Sequence, residues 1–200
     1  TPKPSSAASD VYKRQALLLD EILSGISSLK NDVRRGIVGS IYGFLREKAP
    51  PLQVIRFMEE LAFPPRIQGH ILEFYAEHYP SIRWNFDWKD YIVVGVPDGI
   101  MDVFVYEYKT TGFTTRWIKP VAMTQADIYG YFFRRKEKRV QVMVRRDGKI
   151  YTWHEKVDEE KALDTLNSFR EVEKGERRPI PPARWKCKRC EYRERCKISK

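Results

Sequence analysis

Asp98, Glu107 and Lys109 are the side chains of this sequence whose types and spacing best suit chemistry. They fall in one stretch, YIVVGVPDGIMDVFVYEYKTTG, from Tyr91 to Gly112. The run from Tyr91 to Val96 reads as one strand and Val103 to Lys109 as a second, with Pro97-Asp98-Gly99 as punctuation in a central hairpin. Side chains alternate across a strand, so Glu107 and Lys109 share one face while Tyr106 and Tyr108 take the other. If Asp98 leans toward the first face, two carboxylates and one ammonium converge among apolar neighbours. Excess negative charge there costs several kcal/mol unless a cation compensates it. Mg²⁺ is such a cation, held through one or two carboxylates with other positions left to water and phosphate. Two plainer readings stand beside this one. Asp-Gly is ordinary turn chemistry, and Glu-x-Lys on a strand is often a solvated ion pair worth under about 1 kcal/mol.

The elements that would position these residues follow from periodicity. Ala16 to Ile26 reads as a short amphipathic helix, and Ile37 to Arg46 as a second, interrupted by Gly39 and Gly43 just after Gly36. Pro50-Pro51 opens a third helix, LQVIRFMEELAF, and Pro64-Pro65 ends it and opens a fourth, RIQGHILEFYAEHY, with His70 beside its apolar stripe. SIRWNFDWKD alternates as a half-buried strand, with Trp84, Phe86 and Trp88 on one side. Val121 to Arg135 reads as a helix bearing Gln125 and Tyr129 four residues apart, hence on one face. Lys138 to Arg145 and Lys149 to Glu155 form a hairpin across Asp147-Gly148, and Asp158 starts a helix to about Lys174. This alternation implies an α/β fold, a mixed central sheet with helices on both faces.

Taken together, Gly69-His70, Gly95-x-x-Asp98, Pro97-Asp98, Glu107-Tyr108-Lys109 and Gln125-Ala-Asp-Ile-Tyr129 resemble, in order and spacing, the PD-(D/E)xK nuclease superfamily and its RecB-like branch. Cys187-x2-Cys190-x5-Cys196 resembles part of the iron-sulphur cluster motif in the CRISPR-associated exonuclease family of that branch. The resemblance covers residues 27–196. It implies a restriction-endonuclease-like fold and a metal-dependent exonuclease acting on DNA, with single strands cut 5′ to 3′. His70, Asp98, Glu107 and the Tyr108 carbonyl would hold Mn²⁺ or Mg²⁺, and the imidazole would bias the site toward manganese. Lys109 would orient the attacking water, Gln125 would orient Lys109 or a phosphate, and Tyr129 would meet DNA. The resemblance also implies trimming of DNA ends in spacer acquisition for antiviral defence, beside the CRISPR integrase complex. Recombination, repair or viral nucleases of the RecB type carry the same motifs.

Composition bounds these readings. Two hundred residues give room for one sizeable domain, and 42% hydrophobic residues with a mean hydropathy of −0.56 suit a soluble globular chain. No apolar run approaches the ~18 residues of a membrane span, and no secretion signal is evident, so a cytoplasmic protein is expected. Thirty-seven Lys and Arg against 27 acids give a charge of +10, which suits a polyanionic partner. The basic residues gather in RRKEKR at 134–139 and in the Cys-rich tail, where Arg184, Lys186, Lys188 and Arg189 join the expected phosphate-gripping face. A non-catalytic nucleic-acid-binding module with a structural metal site is the competing reading of that surface.

Three clustered cysteines do not form a disulfide framework and read as metal ligands. The tail, residues 181–200, is too poor in apolar residues to fold without such a staple. By resemblance the cluster is [4Fe–4S], with zinc as the alternative, and the tail packs on the N-terminal helical part. The fourth ligand of the relatives is a cysteine in a segment comparable to Ser27 to Arg35, where this chain has Asp32. Asp32 as ligand, an open or zinc-filled site, and a cysteine lost with an altered N-terminus all remain open. Residues 1–15 lack periodicity and read as a non-native or disordered segment, which leaves 16–180 as the nuclease domain.

Overall fold

The structure is a computed structural model that describes residues 30–180. The expected helix over residues 16–26, the tail with Cys187, Cys190 and Cys196, and its basic residues lie outside them. The chain divides into two compact units, Thr1–Ala162 and Leu163–Lys200.

The first unit opens with α1 (Asn31–Arg46), α2 (Pro51–Glu60) and α3 (Pro65–Leu72), followed by a single 3-10 turn, Glu73–Tyr75. Helix α1 begins six residues before the expected Ile37. Its glycines weaken it by roughly 1 kcal/mol each, but Ile37, Ile41 and Leu45 at four-residue spacing are all buried. Burial of that stripe outweighs the propensity loss. Asp32 sits in the exposed first turn. Pro51 and Pro65 occupy first helical positions, where the missing N–H costs nothing. The fourth expected helix is shorter than its apolar pattern suggested, because the chain turns extended from Ala76 toward Pro80.

Next come β1 (Trp84–Trp88) and β2 (Tyr91–Gly95), an antiparallel pair that forms its own two-stranded sheet. This corrects the central hairpin expected from the sequence. The strand starting at Tyr91 pairs backward with Trp84–Trp88, and the hairpin partner of the Glu107 strand is only two residues long. That partner is β3 (Gly99–Ile100), antiparallel to β4 (Phe104–Thr111). Pro97 lacks an N–H to continue a ladder, and the Ile100 N–H is already committed to the Pro80 carbonyl at 2.7 Å.

Strand β4 pairs in parallel with β5 (Glu137–Val144) through α4 (Ile118–Phe133), and β6 (Lys149–Lys156) returns antiparallel. The result is a mixed four-stranded sheet, β3-β4-β5-β6, within an α/β fold. Tyr106 and Tyr108 pack into a core with α1, α2 and α3, while Val105, Val140 and Val142 pack with Ala122, Met123 and Ala126 of α4. Helices therefore cover both faces, and β4 alternates as expected. The β5–β6 connection is a four-residue loop, closed by Gly148 N–H to the Val144 carbonyl at 2.8 Å. Only Gly148 takes a positive φ, +69°, so this is not the two-residue Asp-Gly turn. The last helix, α5 (Glu159–Glu173), is capped by Asp158, whose Oδ1 accepts from Lys161 N–H at 2.9 Å. In the second unit Arg177 donates to Ser168 Oγ at 2.9 Å.

Gly99 has a packing reason. A Cβ there would stand 2.5 Å from the Tyr79 Cβ and 3.1 Å from the Tyr106 Cβ, both close to backbone and unable to yield. Gly99→Ala should therefore cost about 1–3 kcal/mol, lowering Tm by about 2–4 °C per kcal/mol. Thermal unfolding that matches the wild type would contradict this packing.

Candidate functional site

Strand β4 is paired on both sides only as far as Tyr106, since β3 covers it from Val105 to Tyr106. Beyond that point the edge facing away from β5 has no strand neighbour among the described residues, and Asp98 reaches it. The Tyr108 N–H donates to Asp98 Oδ2 at 2.8 Å. The N–H and C=O of one strand residue point to the same side, so the Tyr108 carbonyl also faces this open edge. Asp98 is fixed from behind, because Ser81 Oγ donates to the Pro97 carbonyl at 2.6 Å while Ile100 is tied to Pro80.

Glu107 and Lys109 project from β4 to the α4 face. The Glu107 side chain is 1% exposed, and its Oε1 forms an ion pair with Lys109 Nζ. Its Oε2 has no hydrogen-bond partner among the described residues. Burial first, then the Asp98 carboxylate, push the Glu107 carboxyl up to about 8 against the opposite pull of Lys109. Burial draws the Lys109 ammonium down, but Glu107 and Asp98 outweigh it and hold it above the ordinary lysine value. Lys109 therefore stays charged.

Helix α4 delivers the expected pair. Gln125 Nε2 donates to the Tyr129 hydroxyl at 3.0 Å, and that hydroxyl donates to the Val96 carbonyl at 3.2 Å. Burial and then the Glu107 charge raise the Tyr129 hydroxyl above its usual range. Gly95 is the reason the helix can approach, since a Cβ there would meet Phe86 at 3.2 Å and Phe133 and Tyr129 at 3.6 Å. Asp98, Glu107, Lys109, Gln125 and Tyr129 are thus brought into one electrostatic neighbourhood.

His70 is placed differently. It rides on α3, which packs on the tyrosine face: Ile71 and Leu72 share the core with Tyr106 and Tyr108, and the Tyr108 hydroxyl donates to the Leu72 carbonyl at 3.0 Å. Its Nδ1 lies 3.3 Å from Glu73 Oε1. Among the described residues no three His, Cys, Asp or Glu side chains gather closely enough to hold a metal ion. Glu73 escaped the motif reading, yet its charge raises the Glu107 carboxyl further. Its position three residues after His70, on the same helical face, was the available signal.

Part of the basic run at 134–139 is committed within the fold, while Arg134 and Lys136 stay exposed. Lys138 is buried in an ion pair with the fully buried Asp127, which also accepts from Asp158 N–H at 2.8 Å. Arg139 pairs with Glu77, within a network that includes Gln141, Tyr106 and Tyr79. Arg135 donates to the Met101 and Phe133 carbonyls at 2.6 and 2.8 Å. Lys138 and Arg139 thus meet carboxylates from other parts of the fold, a constraint that counting charges does not reveal.

No family model matches this chain, and no curated protein does. Among solved structures it is similar to the crystal structure of SSO0001, with a TM-score of 0.50 and 18% identity over 93% of this chain and 97% of that one. A likeness at that identity bears on fold alone. No helix among the described residues is long and apolar enough to cross a membrane.

The raised Glu107 carboxyl sets a pH dependence. Between the ordinary value of 4.5 and about 8 the folded chain binds a proton that the unfolded chain has released, so stability falls as pH rises through that window. Glu107→Gln removes this term. Its Tm should exceed the wild type's by several degrees above pH 8 and converge with it below pH 4.5. Parallel Tm curves against pH would show that the carboxyl is not perturbed.

Proposed function

We propose that this chain is a divalent-cation-dependent deoxyribonuclease of restriction-endonuclease-like, RecB-like type, hydrolysing phosphodiester bonds of single-stranded DNA. The observation that carries the reading is the buried Glu107 carboxylate beside Asp98, with one oxygen lacking a hydrogen-bond partner among the described residues. Two carboxyl groups beside one lysine are a hard-oxygen donor set that suits Mg²⁺ or Mn²⁺, and binding the ion would displace the proton that burial and Asp98 hold on Glu107. Asp98, Glu107 and the Tyr108 carbonyl at the open β4 edge would hold the ion. His70, on α3, would be the further ligand that the family resemblance implies. When bound, the cation lowers the pKa of water toward neutrality and offsets phosphate charge.

The remaining work falls to the chain. Lys109 presents a compact ammonium, kept protonated by its carboxylate neighbours, to a non-bridging phosphate oxygen as negative charge builds there. The Tyr108 N–H holds Asp98 in one orientation, so little reorganisation is needed as the phosphate enters. The Gln125–Tyr129 hydrogen bond and its anchor on Val96 fix the wall of the site opposite β4. A non-catalytic nucleic-acid-binding module is the second reading, favoured by the lack of a three-ligand group among the described residues.

A labelled single strand incubated with Mn²⁺ or Mg²⁺ separates the two. Asp98→Ala and Lys109→Ala should each slow cleavage by at least about 10²-fold while DNA affinity stays within a few-fold of wild type. Cleavage by Asp98→Ala at the wild-type rate would refute the site. A wild type that binds the strand but never cuts it supports the binding module.

A further inference from the structure

The loop after Lys109 carries two of the most exposed aromatic side chains among the described residues. Phe113 is 74% exposed and Trp117 is 73% exposed, four and eight residues beyond Lys109. Neither is a loose appendage. Arg145 N–H donates to the Thr111 carbonyl at 2.8 Å and Arg146 N–H to the Gly112 carbonyl at 3.0 Å, tying the start of the loop to the end of β5. Thr114 Oγ1 accepts from Arg116 N–H at 3.3 Å, and the Thr115 carbonyl accepts from Lys119 N–H at 2.8 Å, fixing its end to α4. The Arg116 guanidinium lies over the Trp117 ring, 5.1 Å from its centroid.

Trp117 also begins a row. Trp117, Val121, Gln125 and Tyr129 follow at four-residue spacing, one winding ridge of α4. Exposure falls along it, from 73% at Trp117 and 55% at Val121 to the half-buried Gln125 and Tyr129 beside Lys109. Twelve residues of helix span about 18 Å, on the order of five nucleotides of stacked single strand. An exposed ring with a cation stacked on it matches a ligand that alternates flat π faces with negative charge. Unpaired bases on a phosphate backbone have that composition.

We propose that Phe113 and Trp117, with Arg116, form a base-stacking platform that receives the unpaired bases of a single strand and leads its backbone along α4 to Lys109. This deepens the nuclease reading and rests on it for the reaction. Bases within a duplex already stack on one another, so the platform favours single strands without reading their sequence.

The test compares wild type, Trp117→Ala, Trp117→Phe and Phe113→Ala/Trp117→Ala in the full chain with Mn²⁺. A labelled oligothymidylate, a blunt duplex and a small chromogenic thymidine phosphodiester serve as substrates. Trp117→Ala should raise KM for the oligothymidylate by about 5- to 150-fold, the loss of one stacked base. The rate on the small diester, which cannot reach Trp117, should not change, and Trp117→Phe should restore most of the affinity. Anisotropy of the labelled oligothymidylate without divalent cation should show the same loss, and this arm holds whether or not the protein cleaves. Wild-type KM and affinity in the double variant would overturn the platform and leave the nuclease reading intact. An equal loss on duplex and single strand would overturn it too. A wild type that never cleaves, yet loses affinity on Trp117→Ala, refutes the nuclease reading and retains the platform.

Discussion

A buried carboxylate with too few partners among the described residues is the constraint on which this structure turns. Glu107 is set into the interior by the alternation of β4, because Tyr106 and Tyr108 must face the helical core of α1, α2 and α3. The same alternation puts Lys109 two residues on, on the same side, as a close counter-charge. Asp98 then arrives from the neighbouring turn and adds a second negative charge. Folding around such a cluster costs stability, which a chain tolerates where the charge meets a ligand.

Local features of the fold exist to hold that arrangement. The short β3 leaves the edge of β4 open where Asp98 is needed, and Gly99 lets the turn pass against Tyr79. Gly95 lets the Tyr129 side of α4 close over the site. The two polar networks elsewhere, around Asp127 and around Glu77, pair with cations of their own and anchor β5 to its surroundings.

Much of this was legible in the sequence because it depends on short-range rules. The α/β alternation, the two-faced β4, the Gln125–Tyr129 pair and the Asp158 cap all follow from strand and helix periods or from capping chemistry. What was not legible depends on pairing at a distance. The backward pairing of β2 with β1 and the pairing of Lys138 and Arg139 with Asp127 and Glu77 are decided by which surfaces meet. Nor does the sequence show that Asp127 and Glu77 stand opposite Lys138 and Arg139 of the run RRKEKR. Exposed Phe113 and Trp117 were likewise hidden among other aromatics, some of which, such as Phe63, Tyr106 and Tyr108, are buried.

The central claim is that the Asp98–Glu107 edge of β4 is a cation site. Titration of the full chain with Mn²⁺, followed by the electron paramagnetic resonance signal of the free ion, tests it most directly. The account predicts a site present in the wild type and lost in both Asp98→Asn and Glu107→Gln. Binding that is unchanged in both variants, or absent from the wild type, would contradict it.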